Sequence, residues 1–198
     1  ANHAVIDIKQ RDGEYPVYNL HPTTGNFIAY GYASKNCPFA GDPIWHYEVN
    51  TSPNYDVSFC GTICPNKDHP DQRKAELLSK LTRNGFKIRA TISHFGNHSG
   101  YDFEWKLDRP ILNEYSLTIT AGKVGYNCNI AGDLTMRTFE IPLMNRPLLS
   151  NGGDSWDFIF EDGKDIVIYN EDNIIEKMKE LIKDEGLRKE IAKNGLWK

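Results

Sequence analysis

Tyr55-Asp56-Val57-Ser58-Phe59-Cys60-Gly61-Thr62 decides the fold. Its β-branched and aromatic residues read as a strand through Cys60, which Gly61-Thr62 ends. Downstream, Asp71 to Leu81 is amphipathic, with Leu77, Leu78 and Leu81 on one helical face. Asn84-Gly85 stops that helix, and Phe86 to Ile92 supplies a second strand. The alternation continues: Ile111 to Thr120 reads as a helix, Lys123 to Cys128 as a strand, and Leu134 to Met144 as a helix that Pro142 kinks or ends early. Pro147 to Ser150 is a short strand, Ser155 to Phe160 a short helix and Asp165 to Tyr169 another strand. Two terminal helices, Asn173 to Lys183 and Leu187 to Lys193, are separated by Gly186. Strands alternating with helices predict an α/β domain, a mostly parallel sheet covered by helices on both faces.

Upstream of Tyr55 the texture differs. Cys37-Pro38-Phe39-Ala40-Gly41-Asp42-Pro43 and Thr51-Ser52-Pro53-Asn54 are loop-like, their prolines limiting helix, so residues 37–54 read as a linker. Residues 1–36 hold two or three strand-like runs: Val5, Ile6 and Ile8, then Val17-Tyr18-Asn19-Leu20, then Asn26-Phe27-Ile28-Ala29-Tyr30-Gly31-Tyr32. So few strands do not make a core alone, so this small β segment needs a partner.

Composition excludes several classes. Over 198 residues, apolar content of 39% and charged content of 25% are ordinary globular values. No run approaches the roughly 20 apolar residues that span a bilayer, and Ala1-Asn2-His3-Ala4 lacks the basic and apolar regions of a secretory signal. A net charge of -4 without a Lys/Arg cluster argues against a nucleic-acid partner. A soluble, cytoplasmic protein is the expectation. Cys37, Cys60, Cys64 and Cys128 show no paired CxxC spacing, so free thiols are expected rather than a zinc ribbon. His94 and His98 lack a completing ligand and read as a polar surface loop, so no metal site is expected.

Two resemblances sharpen this reading. Val17-Tyr18-Asn19-Leu20, Asn26-Phe27-Ile28-Ala29, a Gly-aromatic pair and Ser34-Lys35-Asn36-Cys37 resemble the C-terminal motifs of inteins, with the length of a naturally split C-terminal fragment of HINT-type fold. The resemblance implies that the Cys37 thiol takes an acyl group from a separate N-terminal precursor fragment. Asn36 then cyclises to a succinimide and breaks its bond to Cys37. Lys35 occupies the penultimate position, where inteins usually have His, and Thr24-Gly25 replaces the usual Asp-His pair. The other reading of residues 1–36 is a plain β-hairpin of the following domain.

From Cys37 onward the chain resembles the C-terminal, donor-binding half of GT-B glycosyltransferases, in particular the spore-maturation-type family of the group-1 superfamily. The resemblance rests on Tyr55 to Thr62 followed by Arg73, on Met136-Arg137-Thr138-Phe139-Glu140-Ile141-Pro142, on Phe160-Glu161-Asp162-Gly163-Lys164-Asp165-Ile166-Val167 and on Ile191-Ala192-Lys193-Asn194-Gly195. It implies a Rossmann-like domain over residues 55–198 that binds a nucleotide-diphosphate sugar as donor substrate, with no other cofactor. Glu140 would accept hydrogen bonds from the nucleotide ribose, and Arg137 and Arg73 would balance diphosphate charge. Gly61-Thr62 and Gly152-Gly153 are permissive loops of the kind that approach a diphosphate, although the double glycine also fits a plain turn. Arg137 and Glu140, three apart on one helix, also fit a simple ion pair. Asn145, where relatives commonly have Gly, suits a left-handed helix-ending conformation. Many retaining relatives carry a second Glu eight positions before the helix Glu. Gly132 stands there, with Asp133 beside it, which leaves the stereochemical outcome open. The acceptor site would lie on the other half, joined by splicing. The competing expectation is a splicing precursor whose cargo is a non-catalytic sugar-nucleotide-binding protein.

Overall fold

The computed structural model of the chain describes residues 43–49, 52–93, 98–111, 113–130, 135–153, 156 and 159–196. The expected intein segment and its junction residues Lys35, Asn36 and Cys37 lie outside the described residues, as do Gly132, Asp133 and His94. The strands are β1 (Tyr55–Gly61), β2 (Ile88–Ile92), β3 (Glu104–Leu107), β4 (Gly122–Asn127), β5 (Leu148–Ser150) and β6 (Val167–Ile168). The helices are α1 (Gln72–Arg83), α2 (Asn113–Thr120), α3 (Met136–Leu143), α4 (Ile174–Lys183) and α5 (Glu185–Leu196). The strands form one sheet in the order β3-β2-β1-β4-β5-β6, and every neighbouring pair runs parallel.

Helices cover both faces, and the period-2 alternation of β1 shows how. Val57 and Phe59 belong to the main core cluster with Val124 and Tyr126 of β4, Leu77, Leu78 and Leu81 of α1, and Ile174, Met178 and Leu181 of α4. The Leu77, Leu78 and Leu81 face read from the sequence is thus the buried face. Ser58 points the other way, where its hydroxyl donates to the Ile119 carbonyl of α2 at 2.7 Å. Its register partner Gly125 faces Ile141 of α3, and a Cβ there would collide with that side chain. One face of the sheet therefore meets large apolar residues, while small residues on the other let α2 and α3 approach closely.

Several elements depart from the sequence reading. Edge strand β3 has no counterpart in it: Glu104, Lys106 and Leu107 are exposed, so no buried apolar run marks it. His98 is not on a polar surface loop but buried, its ring 5.6 Å from Trp105 and its Nδ1 sharing a hydrogen bond with the Tyr101 hydroxyl at 3.2 Å. The break between α4 and α5 falls at Asp184 rather than Gly186, because the Asp184 carboxylate accepts the Leu187 N–H at 2.9 Å and starts the new helix. Pro142 sits one residue before the end of α3, and Asn145 follows in the left-handed region at φ 53°. The Asn145 N–H returns to the Pro142 carbonyl at 2.9 Å, as a left-handed helix stop requires.

Candidate functional site

Strand order reverses at β1. From it the chain runs outward through β2 to β3, then crosses back to β4 and runs the other way through β5 to β6. In an open parallel sheet the crevice for a ligand lies beyond the carboxyl ends of the strands at such a reversal. A cleft of about 460 Å³ opens there, lined by Gly61 and Thr62 at the end of β1, Arg109 after β3, Tyr115 of α2, and Arg137 and Glu140 of α3.

Arg137 and Glu140 share the cleft but not a salt bridge. The Arg137 Nε donates to the Asn127 Oδ1 at 3.0 Å, one terminal nitrogen reaches the Cys60 carbonyl at 3.4 Å, and the guanidinium lies over the Phe59 ring at 5.9 Å. Asn127 is in turn buried at the end of β4, donating to the Ser150 hydroxyl at 3.3 Å. Gly61 makes room for this arrangement, since a Cβ there would sit 2.8 Å from an Arg137 terminal nitrogen and 3.1 Å from the Phe59 ring.

Glu140 is buried, with the Tyr115 hydroxyl donating to Oε2 at 2.8 Å and the His46 Nε2 standing 3.5 Å from Oε1. Burial, and then the Glu140 charge, push the Tyr115 phenol well above its ordinary range, so it remains a proton donor. A buried carboxylate that accepts the Tyr115 hydroxyl on one oxygen and has the His46 imidazole 3.5 Å from the other, beside a fixed guanidinium, is suited to bind a polyhydroxylated anion. Burial also pushes the Cys60 thiol up to about 12, so it is no nucleophile at neutral pH.

The sequence expectation pairs Gly61, Thr62, Arg137 and Glu140 in one site, and the structure brings those four together. It does not bring Arg73 to them. Arg73 lines a separate depression with Lys67 and His69 and is ion-paired with Glu171 at 2.7 Å. Gly152 and Gly153 follow β5, two strands from β1, outside the walls of the cleft. Gly152 has φ 71°, so its glycine answers a backbone need. Arg109, Tyr115 and His46 are the site residues that the sequence reading missed. Arg109 depends on the unread strand β3, and the other two arrive through packing of residues 25 and 94 positions away from Glu140, for which no local pattern exists. Among the described residues, no group of three or more His, Cys, Asp or Glu is placed to hold a metal ion, and no helix is long and apolar enough to cross a membrane.

The family model described as "glycosyl transferase-like" matches residues 73–198. No curated protein matches the chain at a significant level. Among solved structures, the C-terminal domain of a glycosyl transferase group 1 family protein (LpcC) from Francisella tularensis superposes with a TM-score of 0.53 at 14% identity, over 78% of this chain and 94% of that one. T4 phage BGT, in complex with UDP and Mn2+, gives 0.58 at 17% identity over 76% of this chain and 44% of its own. TarM gives 0.52 at 10% identity over 77% of this chain and 33% of its own. At these identities the likeness establishes the α/β, Rossmann-like GT-B type of fold. The chain spans less than half the length of the last two.

Proposed function

The chain belongs to the glycosyl transferase-like family, and from that membership we propose that residues 55–198 are the donor-binding domain of a GT-B glycosyltransferase, taking a nucleoside diphosphate sugar. The observation that carries this reading is Glu140, buried, bonded to Tyr115 and flanked by His46, in the same cleft as Arg137 at the strand reversal. Glu140 accepts the ribose hydroxyls, and Arg137 with Arg109 faces the diphosphate, stabilising the charge that develops on it as the glycosidic bond breaks. Arg73, which lines a separate depression and is ion-paired with Glu171, is left out of the diphosphate site. The acceptor site, and any base that activates the acceptor, belong to the other half of the enzyme.

Residues 1–36 act, in this proposal, as the C-terminal part of a split intein. Ordered strand motifs followed by Lys35-Asn36-Cys37 support it. Mixing the chain with its N-terminal partner is expected to give a ligated product lacking residues 1–36, and Asn36→Ala to block release; an authentic partner that gives no ligation removes the intein from the proposal.

The donor reading is tested by calorimetry with UDP, GDP and ADP, and then by assay of the complete enzyme for sugar transfer. Binding by the wild type that is lost in Arg137→Ala and Glu140→Ala is the expected result. Nucleotide binding without donor hydrolysis or transfer by the ligated enzyme would favour a non-catalytic sugar-nucleotide-binding protein.

A further inference from the structure

The segment that precedes β1 packs against two residues of the cleft, Tyr115 and Glu140. Contacts on both sides of His46 hold residues 43–49 on the domain. The Trp45 carbonyl accepts the Ser116 hydroxyl of α2 at 2.8 Å, and the Glu48 carboxylate accepts Arg146 at 2.9 Å and Asn145 at 2.8 Å. Between these anchors His46 turns inward, its side chain only 16% exposed and its ring edge-on to Tyr115 at 5.8 Å and 86°. Its Nε2 then faces Oε1 of Glu140, opposite the hydroxyl that Tyr115 places on Oε2.

We propose that His46 is a positioning residue of the donor site, which fixes the Glu140 carboxylate for the ribose and makes the linker segment part of nucleotide recognition. The inference rests on the reading of Glu140 as the ribose acceptor. An ionised carboxylate offers about four acceptor directions. Tyr115 takes one on Oε2 and the His46 imidazole faces one on Oε1 at 3.5 Å, which leaves one on each for the two neighbouring hydroxyls of a ribose. A carboxylate held at only one oxygen turns about its last bond, and that freedom is lost whenever ligand binds. With Tyr115 bonded to Oε2 and His46 set against Oε1, the loss is absorbed in folding. Movement of residues 43–49 away from α2 releases one oxygen, so the placement of this segment sets how well the ribose is read.

The test compares UDP, ADP and GDP with their dideoxy forms, which lack both ribose hydroxyls, by calorimetry on the whole chain. The wild type prefers the ribose form of the nucleotide it binds best. His46→Ala lowers affinity for that nucleotide about tenfold, the value of one hydrogen bond to a charged group, and leaves affinity for its dideoxy form nearly unchanged. His46→Gln, whose amide still donates toward Oε1, recovers most of the preference, while Glu140→Gln abolishes it. Equal losses for both forms in His46→Ala, or an undiminished preference in a variant that melts like the wild type, overturns the role of His46 alone. A folded wild type that binds none of the nucleotides removes the donor-site reading, and this inference with it.

Discussion

Arg137 is aimed by a neighbour that never touches the cleft. Asn127 is fully buried, its amide nitrogen given to Ser150 of β5 and its carbonyl oxygen to Arg137. Replacing Asn127 by Ala leaves the guanidinium with the Cys60 carbonyl as its polar partner and frees it to turn. Nucleotide affinity in Asn127→Ala is expected to fall about tenfold or more, the scale of a charge-assisted hydrogen bond. Titration of folded protein checks this, and affinity equal to wild type would show that Arg137 holds its place without Asn127. Gly61→Ala acts on the same side chain from the other wall. Its new methyl meets the flexible end of Arg137 and also the ring of buried Phe59, so the expected outcome is weaker nucleotide binding together with a lower melting temperature. The cleft residues legible from sequence were those whose geometry is local: Gly61-Thr62 end a strand, and Arg137 and Glu140 are three apart on one helix, so a shared face follows from the helical repeat. Asn127, Arg109, Tyr115 and His46 are not legible in that way, since their roles exist only once distant segments have packed.

At the scale of elements, the same division separates what periodicity determines from what it does not. The buried stripe of α1 and the β-branched, aromatic run of β1 follow from solvent exclusion along a single segment, and both stand where the sequence places them. Strand β3 follows instead from the edge it happens to occupy, pairing with β2 through Glu104 to Leu107 while half open to water. The order β3-β2-β1-β4-β5-β6, which creates the cleft, is likewise set by which strands meet rather than by any one of them. The end of α3 shows an element boundary that sequence does announce. The helix runs one residue past Pro142, and Asn145 then tolerates the left-handed turn that leads into β5. Asn145→Ala is expected to destabilise the domain by about 1–2 kcal/mol, the cost of a left-handed Cβ-bearing residue without the local hydrogen bonding of Asn. Denaturant melts check this, with Asn145→Gly expected to recover most of the loss. If Ala and Gly are equally destabilising, the Asn145 contact with Glu48, and not the backbone, is what matters at this position.

At the scale of the whole domain, residues 43–49 link helices α2 and α3 to the turn that follows α3. His46 stands against Tyr115 and Glu140, whereas Glu48 reaches Arg146 beside the start of β4. Arg146 is buried and donates to the Gly122 carbonyl at 2.8 Å and to the Thr120 carbonyl at 2.9 Å, so it fixes the turn from α2 into β4. Glu48 completes that cluster from outside. Its partial burial works against the charged form, but the hydrogen bonds from Arg146 and Asn145 outweigh burial and hold its pKa below the ordinary carboxylate value. A carboxylate depressed on folding stabilises the native state fully above its unfolded pKa, near about 4.3 for Glu, and that contribution fades as pH falls through the lower folded value. Glu48→Gln keeps the shape of the side chain and removes the titration. The melting temperature of the wild type is therefore expected to exceed that of Glu48→Gln by a constant margin from neutral pH down to the ordinary Glu range. The margin should then close in stronger acid, where both chains carry an uncharged side chain. Because Glu48 is half exposed, the margin is a modest one. A pair of melting series across the acid range measures it, and a margin that stays constant through the lowest pH at which both remain folded would mean that the Arg146 contact stabilises through hydrogen bonding alone.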